Sequence, residues 1–100
     1  MQAELAGLER QVMAEVDRAY SEYAASRDAA SRLEHSVLPR ARRIRDLTAG
    51  LLRQDEVSAV DYLTAQRDYN EVVRQYRDAL IRHRRSMLKL NTAVVERLMP

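Results

Sequence analysis

In the first half of the chain, Val16, Tyr23, Ala30, Val37, Ile44 and Leu51 recur every seven residues, with Ala19, Leu33 and Leu47 three residues after members of that row. A one-sided apolar stripe sustained over about five heptads predicts a helix with an a/d seam. Leu5, Leu8 and Val12 extend the stripe toward the N-terminus after a four-residue step. Pro39 lacks the backbone donor of a helical residue and crowds the preceding turn, so a kink or short break is expected at Leu38–Pro39, with helix resuming through about Thr48. Gly50 permits an end there. In the second half, a stripe running from Tyr69, Val72 and Tyr76 through His83, Met87 and Leu90 to Val94 and Leu98 predicts another helix. It begins near Ser58 and meets no breaker before Pro100. The predicted fold is all-α: a long antiparallel coiled-coil hairpin. Its first helix covers about residues 2–50 and is kinked near Pro39, the tip covers 50–57, and the second helix covers about 58–98. Each arm would be roughly 60–75 Å long.

A second apolar row lies on the second helix. Ile81, Leu88 and Val95 also recur every seven residues, about 140° round the helix from the first stripe. A hairpin partner covers one stripe only, so this row predicts a second neighbour and self-association of the chain.

Composition agrees with long helices. Of 100 residues, 46% are hydrophobic and 32% charged, with two Gly, two Pro and neither Trp, Phe nor Cys. A core made of Leu, Val, Ala and five Tyr suits a thin seam better than a globule. The net charge of +2 is unevenly spread: Arg40, Arg42, Arg43, Arg45 and Arg53 form a local basic band. Without Cys there are no disulfides or thiolate metal sites. No apolar run approaches the ~20 residues of a membrane span. The opening "MQAELAGLER" does not read as a signal peptide. A cytoplasmic protein or an excised piece of a longer one is therefore expected.

The stretch between the helices, "LLRQDEVSAVD", is apolar where a turn is usually polar. Ser58 and Asp61 have the Ser-x-x-acid spacing at which each side chain can accept from the other's amide and fix a helix start. Asp55 and Glu56 place negative charge at that positive helix end. Leu51, Leu52 and Val57 either plug the end of the seam or form an exposed docking patch.

Taken together, "VLPRARRIRDLTAGLLRQDEVSAVDYLTAQRDYNEVVRQYRDALIRHRRSMLKLNTAV" resembles the periplasmic helical hairpin of TolC-type outer-membrane efflux proteins. The matching positions are Leu38 and Pro39, then Ser58, Asp61 and Leu63 at the tip, then Ala65, Gln66, Arg67 and Tyr69, then Leu90, Ala93 and Val94. The upstream "EVDRAYSEYAASRD" is similar to the family's preceding helix. Asp55 stands where the family has its tip glycine, Leu52 where it has an aromatic, and Val95 where it has a final glycine. The resemblance implies that the chain is one hairpin of a trimeric α-barrel continuing from an outer-membrane β-barrel, with this segment in the periplasm. It implies a conduit for efflux or type I secretion, joined by a periplasmic adaptor to an inner-membrane pump. The tip residues Leu52, Arg53, Asp55, Val57, Ser58 and Asp61 would meet the adaptor. Leu52 and Val57 would give buried contact and Arg53 a polar one, while Ser58 and Asp61 would hold the turn. The alternative is a stand-alone coiled-coil interaction module with no channel role.

Other chemistry is weaker. In a hairpin turning near Asp55, His35 and His83 are offset by roughly 12 Å along the axis, too far to share a metal ion. "RARRIR" at 40–45 and "RHRR" at 82–85 could meet phosphates, but pairing with Asp61, Asp68, Glu22 and Asp28, or simple solvation, is the expectation, and nucleic acid is not an expected partner. Tyr62, Tyr69 and Tyr76 are expected in the seam rather than stacked on bases. No catalytic constellation, cofactor site or metal site is evident, and an enzyme is not expected.

Overall fold

The computed structural model describes residues 2–99, and the fold is an all-α helical hairpin. Helix α1 is Gln2–Arg32; a five-residue π-helical turn, Leu33–Val37, leads without a break into α2, Leu38–Arg53. After a short tip, α3 runs as one 40-residue helix, Ala59–Leu98. No strand occurs among the described residues. The chain packs as two units, one joining α1 up to Asp28 with α3 from Leu80 onward, the other running from Ala29 to Ala79.

The first unit is held by small polar residues. Ser26 on α1 and Ser86 on α3 are the most buried side chains, each 1% exposed, and their hydroxyl oxygens lie 2.7 Å apart. Only small side chains allow two helices to approach so closely. Three other polar contacts and one ring contact close the site. Ser26 Oγ is 3.2 Å from His83 Nδ1 and donates to Tyr23 O at 2.9 Å. Ser86 Oγ donates to His83 O at 2.7 Å, and the His83 ring packs on Tyr23 with centroids 5.2 Å apart. No buried side-chain nitrogen or oxygen lacks a partner among the described residues. Lys89 and Glu22, 4.0 Å apart, continue the antiparallel pairing.

That register moves the seam of α3 from its expected position. Ser86 and Ala93 are buried and His83 and Leu90 half-buried, while Leu80, Met87, Val94 and Leu98 from the predicted stripe are exposed. The covered face is centred on small residues that a search for large apolar side chains passes over. Leu5 and Leu8, expected to extend the seam, are exposed. The row of Ile81, Leu88 and Val95 is uncovered, at 47%, 63% and 53% exposure.

In the second unit Pro39 does not break the helix. The helix stays continuous and widens, with the Leu38 amide donating to Leu33 O, an i→i−5 bond. The wide turn absorbs the residue whose ring would crowd the carbonyl four back and whose missing N–H would leave it unpaired. It also inserts one residue into the helical repeat. Up to Val37 the seam keeps its predicted phase through Tyr23, Ala30 and Leu33. Beyond it, Ala41, Arg45, Thr48 and Leu52 are half-buried, and Ile44, Leu47 and Leu51 turn outward. The helix also runs past Thr48 and Gly50 to Arg53. Facing this half, Ala65 is buried and Tyr62, Tyr69, Val72 and Tyr76 are half-buried on α3.

Two outcomes follow. Ser26→Ala should cost about 0.5–1.5 kcal/mol through the lost hydrogen bonds, and Ser86→Leu about 1–3 kcal/mol through overpacking; urea unfolding followed by circular dichroism measures both, and a neutral Ser86→Leu would contradict the close approach. The chain has no Cys, so single cysteines report the phase cleanly. A thiol reagent should label Leu47→Cys severalfold faster than Ala41→Cys, and the reverse order would mean that the seam keeps its heptad phase past Pro39.

Candidate interaction surface

The tip is built from two caps. At the end of α2, the Glu56 amide donates to Leu51 O at 2.9 Å and the Asp55 amide to Leu52 O at 3.0 Å. This paired 6→1 and 5→2 pattern is a Schellman end, and it requires the residue between to be left-handed. Asp55 fills that position with φ 57°, the one non-glycine residue with positive φ among those described. Glycine adopts this conformation freely; Asp tolerates it better than most residues. At the start of α3 the expected reciprocal cap is present. The Asp61 amide donates to Ser58 Oγ and the Ser58 amide to Asp61 Oδ2, each at 3.2 Å. Only Glu56 and Val57 separate the left-handed residue from the Ser58 cap, so little of the turn is free to move.

These caps decide which side chains face water. Arg53, Asp55, Ser58 and Asp61 are exposed. Leu52 and Val57, expected to supply docking contact, are half-buried. Leu52 lies on the covered face of α2 in line with Ala41, Arg45 and Thr48, so much of its surface belongs to the seam. The exposed apolar surface of this unit is elsewhere. Ile44, Leu47 (68% exposed) and Leu51 form one stripe of α2, and Val60 and Leu63 lie at the start of α3. Sequence reasoning placed Ile44, Leu47 and Leu51 in the seam and gave Val60 no role. The signal that could have moved them was Pro39, whose wide turn adds a one-residue phase shift.

The basic band splits by partner. Arg45 donates twice to Asp46, at 3.0 and 3.1 Å, and its guanidinium lies 4.3 Å from the centre of the Tyr69 ring. The Asp46 hydrogen bond raises its pKa; desolvation opposes this, and the fields of Asp46 and Tyr69 add to the rise. Arg45 is therefore a seam residue that snorkels over an aromatic ring. Arg40, Arg42 and Arg43 make no ion pair among the described residues, and neither do Arg82, Arg84 and Arg85. These faces are solvated rather than paired with Asp61, Asp68 or Asp28. Glu71 and Arg74 pair along α3 at 2.9 Å, which lowers the Glu71 pKa.

His83 is bound into the Ser26–Ser86 contact, and His35 Nδ1 lies 2.9 Å from Ser31 O. Among the described residues no three His, Cys, Asp or Glu side chains gather as metal ligands. No helix is long and apolar enough to cross a membrane among the residues described. The chain matches no protein-family model, no curated protein and no solved structure.

The caps predict opposite effects from two substitutions. Ser58→Ala should cost about 0.5–2 kcal/mol. Asp55→Gly should stabilise by up to about 1 kcal/mol by removing the side chain from a left-handed position. Thermal melts read both, and a destabilised Asp55→Gly would show that the Asp55 carboxylate holds the turn.

Proposed function

We propose that this hairpin is an interaction element that docks through its tip, and specifically the periplasmic tip-bearing hairpin of a TolC-type export conduit. The observation that carries the reading is the rigidly capped turn beside apolar side chains that its own seam leaves uncovered, Leu47, Leu51, Val60 and Leu63. A turn needed only to connect two helices has no use for apolar side chains in water; a docking tip needs them, together with a fixed shape. The order of short motifs from Leu38–Pro39 through Ser58, Asp61 and Ala65–Arg67 supports the narrower identification. On this reading a periplasmic adaptor is the partner, the inner-membrane pump acts through it, and the parent protein is a trimer in the outer membrane. Contact would come from Leu47, Leu51 and Val60, with Arg53 and Asp55 giving direction, while Leu52 and Val57 mainly close the seam. A stand-alone coiled-coil module is the second reading. It is favoured by the closed Ser26–Ser86–His83 network, which satisfies the first unit's buried polar groups without any other chain.

A photo-crosslinking residue at Leu47 or Val60 in cells that make the protein separates the two. Crosslinks to a periplasmic adaptor in the envelope fraction are the expected result, and adducts with cytosolic proteins alone would reject the conduit. Leu47→Asp should abolish the crosslink made from Val60 while leaving the melting temperature within a few degrees. Leu52→Asp should instead lower stability by about 1–3 kcal/mol through burial of a charge on the seam face. If both substitutions destabilise alike, the exposed stripe is not a docking surface.

A further inference from the structure

The outward face of α2 carries charge beside its apolar stripe. Arg40, Ile44, Leu47 and Leu51 follow one another at steps of four, three and four residues, so they share one side of the helix over about 16 Å. Arg43 borders that row, one residue before Ile44. Ile44 and Leu47 are 52% and 68% exposed. Arg40 and Arg43 are exposed and make no ion pair among the described residues. Helix α2 holds five Arg against one acid, Asp46, and Asp46 is already held by Arg45 at 3.0 Å. Its own helix therefore offers Arg40 and Arg43 no free carboxylate. Past the other end of the row, Asp55 and Glu56 stand exposed in the tip.

We infer that this face of α2 takes an acidic amphipathic helix of a partner protein, whose apolar row covers Ile44, Leu47 and Leu51 and whose carboxylates meet Arg40 and Arg43. Charge and shape select this occupant. A nucleic acid presents phosphates and leaves a row of aliphatic side chains unused. An anionic lipid surface would accept the row, but it presents one sign of charge along its whole length, and Asp55, Glu56 and Asp61 stand exposed at the tip end of the same unit. Two copies packed α2 on α2 would bring the five Arg of each together. A protein helix can set carboxylates against Arg40 and Arg43, aliphatic side chains against the row, and a neutral or basic end toward the tip. Arginine suits the task, since its planar fork grips a carboxylate through two parallel hydrogen bonds. Such pairs beside an apolar row choose partner and register more than they add affinity. This inference rests on the reading of the tip as a docking element; it adds the chemical character of the partner and extends the contact to Arg40, about three turns up α2 from Leu51.

The probe is a labelled synthetic peptide of about three heptads, with leucine at a and d and glutamates flanking them toward one end. Fluorescence anisotropy against the whole chain reads its binding. The chain should bind this peptide and should not bind a twin in which each glutamate is replaced by lysine. Arg40→Glu combined with Arg43→Glu should weaken binding of the glutamate peptide at least tenfold and create binding of the lysine twin. Leu47→Asp should weaken binding of the glutamate peptide at least tenfold. Arg42→Glu makes the same change of charge two residues from Arg40, about 200° round the helix, and should leave binding within twofold. All these side chains are exposed, so circular dichroism should give wild-type helicity for every variant. No binding of the glutamate peptide, an equal loss from Arg42→Glu, or tighter binding to phosphatidylglycerol vesicles or duplex DNA than to the peptide would each overturn the proposal. So would a chain that dimerises through this face, seen as self-association that Leu47→Asp removes. A Val60 crosslink to the adaptor without peptide binding would leave tip docking standing while this inference falls, and charge-dependent peptide binding without that crosslink would do the reverse.

Discussion

The close approach of α1 to α3 at Ser26 and Ser86 sets the terms for the rest of the first unit. Hydroxyl oxygens 2.7 Å apart leave no room for a leucine at either position. The core is therefore small. Among the described residues, the buried ones of this unit are Ser26, Ser86 and Ala93, none of them large. Such residues remove little apolar area each, and burial of a full Leu or Val side chain, worth about 1.5–3 kcal/mol, is not available to them. What they supply instead is register. A hydroxyl pair in an otherwise apolar seam is satisfied in one alignment and orphaned by a slip of one turn, so the polar contact specifies the pairing while contributing modestly to its strength.

A seam narrow enough for Ser and Ala leaves the large side chains nowhere to go but its flanks. Leu88 and Val95 in the first unit are exposed for this reason. Pro39 adds to it. By widening the helix over Leu33–Val37, it rotates everything beyond by about one residue and turns a heptad row that began in the seam out to solvent. The same turn carries Arg45 inward, where its stem is half-covered and its guanidinium rests against Tyr69 and Asp46.

The hairpin, its all-α class and the capping pair at Ser58 and Asp61 are legible in the sequence because each rests on a local rule: a repeat, a shortage of breakers, a three-residue spacing. The α1 seam from Val16 to Val37 is legible for the same reason. Two things are not. The seam of α3 in the first unit runs through Ser86 and Ala93, and nothing in those residue types alone separates a close-packed face from an exposed one; only the facing Ser26 makes the distinction. The phase of α2 depends on whether a proline is absorbed by a kink, a break or an added residue, and those outcomes differ by which carbonyls nearby remain unpaired. Leu52 and Leu51 exchange places for this reason, and with them the expected composition of the tip.

Asp55 occupies the one left-handed non-glycine position among the described residues. The Schellman end requires a left-handed residue there, and glycine would meet the requirement without steric cost. An aspartate meets it at some expense and in return sets a carboxylate at the tip, next to Glu56 and the positive end of α3. The start of that helix already has its cap in Ser58 and Asp61, so its end is favourable without Asp55. The turn's own hydrogen bonds are made by backbone groups and do not use the Asp55 side chain. A charged group in a conformation that disfavours it, on a turn whose other positions are fixed by caps and beside apolar side chains left in water, would find its use in the docking proposed for this tip.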